Sequence, residues 1–538
     1  MAVHSRQEAI PAFAAGGGQP RSAQASKWVI SISVLFGAMM GAIDTSVVNV
    51  ALAHIRATYG VTTQEVTWVT TSYLITLVMI MPLTAWVGSV LGRKRMFLLA
   101  VSLFTVASAL CGFARTLGEL IAFRVLQGLG GGALQPISQA IMRETFPPEE
   151  QGQAMGMFSM VILLGPAIGP TLGGWITDNL SWPFIFFVNI PVGILAVFMA
   201  GRLLVDPPYM RAQGLRHIDG IGIGLMAVGL ASLQVLLEQG ETDGWFQSSL
   251  IVTLTVTAVV ALTAFVIWEL RVSEPAVNLR ILKNVTFASG TAIIGILGLA
   301  LFGSLILLPL FFQQLLGYDA TEAGLAMMPR ALTTLLLNPI CGSLYNRLGV
   351  YIMLPVGMTL AATSALMMAH FNLDSGPVQI LLPQVVQGMG FSFMFVSLST
   401  AALSRMPRPQ MQSATGLYNL IRQLGGSFGT AIVVTLVDHK TTMASANLMR
   451  YASVYNPTFM HWWETYQAAF VARGSDPTTA HLQALAALHS LISQQATVVA
   501  FDYTFGIIGL LLLACLPLVL FIRRGQANSA ARGAVTGG

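Results

Sequence analysis

In a chain of 538 residues only 9% are charged, 55% are hydrophobic, and the mean hydropathy is +0.72. A soluble domain carries roughly a quarter charged residues, so a surface bathed all round in water is excluded. The net charge of +5 does not indicate nucleic acid, because the basic residues lie between apolar runs and form no patch interleaved with aromatics.

Residues 1–27 are rich in Ala, Gly, Gln and Ser and read as a tail. The next run, 28–52, is too long for a signal-peptide core and lacks a cleavage signal, so it is a retained span. Crossing a bilayer takes about 20 apolar residues. Runs of that kind recur at 67–88, 97–113, 119–142, 153–176, 184–204, 219–237, 249–270, 285–312, 322–345, 351–371, 377–404, 413–437 and 500–522, which makes fourteen predicted crossings. The predicted fold class is an all-α polytopic membrane protein. An even count returns the chain to its starting side. With the N-terminal tail in the cytoplasm, nineteen of the 27 Lys and Arg fall on that side and five on the other. That bias is the positive-inside pattern, so both termini are predicted to be cytoplasmic.

The chain also repeats itself. Thr62-Thr63-Gln64-Glu65 and Asp319-Ala320-Thr321-Glu322 each have the form of a capping box opening a helix. Arg124-Val125-Leu126-Gln127-Gly128 is echoed by Gln384-Val385-Val386-Gln387-Gly388. The repeat divides the chain into a tail (1–27), a six-helix bundle (28–204), a linker with two extra spans (205–284), a second six-helix bundle (285–522) and a tail (523–538). Two related bundles around a central cavity are the geometry of alternating access. Within the second bundle, 438–499 is far longer than any other loop. Its aromatic stretch, with Trp462, Trp463, Tyr466 and Phe470, has roughly helical spacing, and 479–498 reads as a separate amphipathic helix. This segment is either a cap lying on the membrane or a docking surface.

Asp44 lies well inside the first span. A carboxylate is costly in hydrocarbon, so it must face a cavity or a partner. It is therefore a candidate to take up and release a proton, with a permanent structural ion pair as the alternative. Arg124 in the fourth span is its predicted partner, at a similar depth, and Gln127 extends the network. The repeat places Gln384 where the first half has Arg124, so the scaffold itself does not demand an arginine there. Gly165, Gly169 and Gly173 recur every fourth residue beside Pro166, Pro170 and Gly174, predicting a bent helix closely packed against a neighbour. Gly92-Arg93-Lys94-Arg95 is a cytoplasmic turn, either a topogenic charge cluster or a latch whose cations engage acids or helix ends. Arg330 and Arg422 fall within spans and would make a cavity net positive, unless both serve backbone carbonyls.

The Gly128–Gly132 run is no nucleotide loop, because no strand precedes it. Cys111, Cys341 and Cys515 lie in apolar runs without metal spacing and read as packing residues. No motif supports a metal site, nucleophilic catalysis or a cofactor. An enzyme would show a polar catalytic cluster, and a sensor would carry a soluble output domain.

These motifs together resemble the major facilitator superfamily. Leu91-Gly92-Arg93-Lys94-Arg95, Arg124-x-x-Gln127-Gly128 and Gly165-Pro166-x-x-Gly169-Pro170-x-x-Gly173-Gly174 match its loop, span-4 and antiporter motifs. Asp44 to Leu52, Trp182 to Gly193 and Arg422-Gln423-Leu424-Gly425-Gly426 resemble the fourteen-helix drug:proton antiporters, the EmrB/QacA subfamily. The resemblance implies the major facilitator fold and proton-driven export of amphipathic drugs across the inner membrane, with no cofactor. It implies Asp44 as the proton-coupling acid with Arg124, and Asn49 beside Gln127 in their network. It further implies a periplasmic membrane-fusion adaptor and an outer-membrane channel as partners. A specialised exporter of an endogenous acid, such as a fatty acid or siderophore, is the alternative. Ser89 stands where the loop motif has an acid, with Asn346 at the second-half place; Ala85 and Ala53 also depart from the pattern.

Overall fold

The computed structural model describes residues 27–206 and 219–522. Both tails, apart from Lys27, and the linker cations Arg211 and Arg216 lie outside the described residues. Among the described residues there is no strand. The α-helices in chain order are α1 Lys27–Tyr59, α2 Thr63–Leu91, α3 Arg93–Gly112, α4 Leu117–Thr145, α5 Gln151–Asn179, α6 Phe184–Phe187, α7 Asn189–Leu203, α8 Gly220–Gln239, α9 Ser249–Arg271, α10 Val285–Gln314, α11 Ala320–Leu348, α12 Val350–Met368, α13 Pro377–Ala402, α14 Met411–Met449, α15 Pro457–Ala472 and α16 Pro477–Ala514.

Eleven helices, α6 and α7 counting as one, are long and apolar enough to cross a membrane. The α5 pair makes a twelfth, bent by 41° between Pro166 and Ile168. There a proline removes a backbone donor and crowds the preceding turn. α4 and α11 fall short on hydropathy because they bury polar side chains, among them Arg124, Gln127, Gln135 and Gln139 in α4 and Arg330 and Asn338 in α11. With these two, each of the fourteen predicted crossings corresponds to a helix. Both predicted capping boxes are formed. Thr62 Oγ1 accepts from the Glu65 amide while Glu65 caps the Thr62 amide, and Asp319 and Glu322 do the same. These exchanges satisfy amide groups that a helix start leaves unpaired.

Packing follows the repeat. α1 lies against α4, α5 and α7, and α4 also against α2 and α3. In the second half α10 and α16 lie against α14, and α13 against α11 and α12. Between the halves, α5 and α11 run antiparallel along their whole length. A Cβ on Gly152 would meet the Gly342 carbonyl at 2.4 Å, one on Gly156 the Asn338 carbonyl at 2.6 Å, and one on Gly324 the Thr171 hydroxyl at 3.0 Å. The other seam is different. α2 and α14 touch near the end closest to the termini, where Gln412 Nε2 donates to the Thr84 carbonyl at 2.8 Å. Farther along, α8 bridges them: Gln239 Nε2 donates to Thr67 Oγ1 at 3.1 Å, and Gln234 Nε2 to Ser427 Oγ at 3.0 Å.

The segment 438–499 corrects both the predicted helix ends and the surface cap. The helix of the crossing at 413–437 does not stop there but continues to Met449. The predicted separate helix at 479–498 is the first half of α16, unbroken from Pro477 into the last crossing. No Gly or Pro interrupts 438–449 or 478–505. Backbone hydrogen bonds therefore carry the helix out of hydrocarbon, where polar side chains replace apolar ones without cost. α15 packs against α16, with Trp463 edge-on to His481 at 5.2 Å. The three form an upright extension on the face opposite the termini. At the other end of α16, Pro517 converts the predicted last stretch of the crossing to a 3-10 turn, Leu516–Phe521.

Candidate functional site

Asp44 and Arg124 meet. The carboxylate is 2% exposed and the guanidinium wholly buried. Arg124 Nη1 lies 2.5 Å from Asp44 Oδ2 and 2.7 Å from Gln127 Oε1, while Gln127 Nε2 donates to Asp44 Oδ1 at 2.8 Å. Arg124 Nε donates to the Val69 carbonyl of α2 at 3.0 Å, and its guanidinium stacks 4.0 Å from the centre of the Tyr73 ring. A charge pair so deeply buried persists only when its remaining donors and acceptors are also engaged. Here that condition is nearly met, with Arg124 Nη2 left unpartnered.

A third donor to Asp44 was not expected from the sequence. Asn189 Nδ2 lies 3.4 Å from Asp44 Oδ1 and 3.1 Å from Ser108 Oγ, which itself donates to the Phe186 carbonyl at 2.9 Å. Asn189 is brought there by the break between α6 and α7, where Pro191 cannot donate to the preceding turn. The signal was legible as an Asn two residues before a proline inside an apolar run. Asn49, assigned to this network, is not part of it: it is exposed on α1. Five residues past Asp44 is about 500° of helical rotation, which turns the side chain away from the Asp44 face.

Glycines set the depth of the site. Cβ atoms on Gly128 and Gly132 of α4 would sit 2.8 Å from the Tyr73 carbonyl and 2.6 Å from the Leu77 carbonyl of α2. Gly130 approaches the Ala100 carbonyl of α3 just as closely. The 128–132 run thus lets α4 seat Arg124 beneath Tyr73. On α5, Gly165, Gly169 and Gly173 face α1 at Ala42, Ser46 and Val47, and Ser46 Oγ donates to the Gly165 carbonyl at 3.2 Å. Pro166 faces a narrow space also lined by Arg330 and Phe391, and Pro170 lies within the same bent helix.

A Cβ on Gly165 would fall 2.7 Å from the Ala42 carbonyl carbon, backbone that cannot give way, whereas one on Gly174 would meet only Val50 Cγ1 at 4.0 Å. Gly165→Ala is therefore expected to lower stability by about 1–3 kcal/mol and Gly174→Ala to leave it unchanged. Thermal unfolding of the two purified variants beside the parent checks this.

The second half repeats the site without its charge pair. Gln387, the counterpart of Gln127, donates from Nε2 to Ser304 Oγ of α10 at 3.2 Å, and its Oε1 accepts from Arg330 Nη1 at 3.1 Å. Ser304 thus occupies the place in the network that Asp44 fills in the first half. Gln384, the counterpart of Arg124, is buried with both amide atoms unpartnered. Arg422 reaches across to the first half, donating from Nη2 to Gln135 Oε1 at 2.6 Å, beside Asn419 donating to Gln139 Oε1 at 2.7 Å. Both arginines are 2–3% exposed, and neither has an acid partner among the described residues.

In the loop motif, Gly92 (φ +82°) ends α2 and begins α3, a left-handed conformation that disfavours any side chain. Arg93 forks onto Glu144 with both contacts at 2.9 Å, the Lys94 amide donates to Asp206 Oδ1 at 2.7 Å, and Arg95 is exposed. The cation thus engages an acid of its own half. Uncharged groups also bridge the halves at this end, Gln412 to Thr84 and Asn346 to the Glu149 carbonyl.

The sequence model of the Major Facilitator Superfamily matches residues 34–430. The chain belongs to the Major Facilitator Superfamily. Within it, the chain is 35% identical to the multidrug export protein EmrB of Haemophilus influenzae over 432 residues, covering 80% of this chain and 84% of that one. It is 32% identical to the fatty acid resistance protein FarB of Neisseria gonorrhoeae over 500 residues, 93% and 96% of the two chains. The human organic anion transporter MFSD10 (TETRAN) has the same fold, with a TM-score of 0.54 at 14% identity over 91% of this chain and all of that one. This superfamily member is accordingly a multi-pass membrane transporter of the EmrB-like branch, not an enzyme.

Proposed function

We propose that this transporter is a proton-coupled antiporter that exports amphipathic toxic molecules across the inner membrane, with both termini in the cytoplasm. The observation that carries this reading is the Asp44 carboxylate, buried and held by Arg124, Gln127 and Asn189 on two other crossings. The counterpart group in the second half is Ser304, which carries no exchangeable charge. A charged Asp44 ties α1 to α4 through attraction to Arg124 and accepts from Asn189 of α7. A protonated Asp44 loses that attraction and frees the helices to move, so proton binding and helix packing are one event. The two bundles, residues 28–204 and 285–522, rock about this coupling, and 205–284 rides between them.

Names of relatives support the substrate class: multidrug export for EmrB and fatty acid resistance for FarB. Because Arg330 and Arg422 are buried without acid partners, a second reading is the export of amphipathic carboxylates, an endogenous acid among them. We further propose a periplasmic adaptor seated on the extension, with an outer-membrane channel beyond it. Tyr455 and Leu482, 92% and 63% exposed, are suitable positions for crosslinking to that adaptor.

The test is purified protein in liposomes carrying an imposed pH gradient. A fluorescent amphipathic dye is expected to move against its own gradient while the pH gradient stands, and to stop when a protonophore collapses it. Movement indifferent to the collapse would refute proton coupling. A medium-chain carboxylate that competes with the dye in the parent, but not in Arg422→Gln, would favour the second reading.

A further inference from the structure

The extension encloses a cavity that has no part in the Asp44 network. Its volume is about 520 Å³, and it opens between the end of α14, the connecting loop, α15 and the outer half of α16. One wall presents four aromatic rings, Tyr451, Phe459, Trp462 and Tyr466, and the facing wall is aliphatic, from Leu491 and Ile492 of α16. Trp462 and Tyr466 lie 6.1 Å apart and 31° from parallel. Tyr451 is 69% and Trp462 52% exposed, so each leaves much of its ring area open. No charged side chain lines the space. Asn456 is committed to capping α15 and to the Tyr451 carbonyl, which leaves Gln495 as the free amide of the wall.

These features together select a ligand. The volume falls in the range of about 300–1,000 Å³ typical of small-molecule sites. Aromatic rings facing an aliphatic wall reward an apolar aromatic body, which gains about 0.5–1.5 kcal/mol per ring contact beyond its burial. A wall without charge gives no counter-ion to a carboxylate, and a cation would find only ring faces there. A lipid tail is a poor fit, because the crossings predicted from hydropathy end short of the cavity. Leu448 is eleven residues past the crossing that ends near 437, about 16 Å along the helix, and Ile492 is eight residues before the crossing that starts near 500, about 12 Å.

We propose that this aromatic cleft is a binding site for an uncharged, planar, two- to three-ring aromatic molecule, separate from the central polar path. It needs neither a gradient nor Asp44, so its failure and the failure of the antiport reading are distinguishable.

Benzophenone, an uncharged diaryl ketone that bonds to nearby C–H groups on irradiation, is the probe. The full-length protein in lipid nanodiscs, without a gradient, is irradiated over a range of probe concentrations, and adducts are mapped by peptide mass spectrometry. Saturable labelling is expected within 448–466 and 488–495, suppressed by excess anthracene, and equal in the parent and in Asp44→Asn. Ala452→Trp, which fills the cleft, and Tyr466→Ala, which removes a stacking face, are each expected to lower that labelling about ten-fold. Leu482→Ala, outside the cleft, is expected to leave it unchanged. The two cleft variants act in opposite senses, one adding bulk and one removing it, so a folding defect in either leaves the other to decide. Labelling that fails to saturate, that persists undiminished in both cleft variants, or that is blocked only by a co-purifying polypeptide would overturn the proposal.

Discussion

Asp44→Asn is expected to reduce gradient-driven transport to the level of protein-free liposomes while leaving a folded, membrane-inserted protein. Asparagine keeps the size of the side chain and one carbonyl oxygen for Arg124 or Gln127, but it cannot exchange a proton. Arg124 would lose its counter-charge yet keep the Val69 carbonyl, Gln127 Oε1 and the Tyr73 ring. Those contacts hold the guanidinium in place, so the protein still folds, at a cost in stability for its uncompensated buried charge, and loses coupling. Substrate binding measured without a gradient is expected to persist. A variant that still pumps at the parental rate would make Asp44 a structural group and sink the mechanism.

The second large effect concerns Arg124. Arg124→Gln leaves a buried carboxylate with only amide donors, and removing one partner of a buried pair costs about 3–5 kcal/mol. The protein itself suggests the remedy, because its second half has Gln384 and Ser304 at the matching places. The double variant Asp44→Asn/Arg124→Gln is therefore expected to recover most of the lost stability while remaining unable to transport. Thermal unfolding of the four proteins closes the double-mutant cycle. Strictly additive destabilisation would mean that the two side chains are not energetically a pair.

Much of this was legible in the sequence because hydrocarbon is an unforgiving solvent. With so few charges, the apolar runs could only be crossings, and the runs at 119–142 and 322–345 marked α4 and α11 even though their buried polar groups depress hydropathy. The same repeat singled out Arg124 against Gln384. Other parts were hidden for definable reasons. Asn189 comes from a distant crossing and reaches Asp44 only because the chain breaks between α6 and α7. Asn49 came with the resemblance of the Asp44 to Leu52 stretch, and a shared motif on a helix says nothing of which way each side chain points. The outer ends of α14 and of the last crossing were misjudged because hydropathy reports where lipid ends. A helix ends where its backbone bonding is interrupted, and no Gly or Pro interrupts it there.

That continuity has a mechanical consequence. α14 is a rod of 39 residues, about 58 Å long. It bears Gln412 against Thr84 near its start, Arg422 against Gln135 farther along, and Leu448 on the aromatic cleft close to its tip. Moving as one continuous helix, it would sweep its tip through about 10 Å for a tilt of about 10° at its base. Rearrangement between the halves would thus be geared, as by a lever arm, to whatever is seated on the extension.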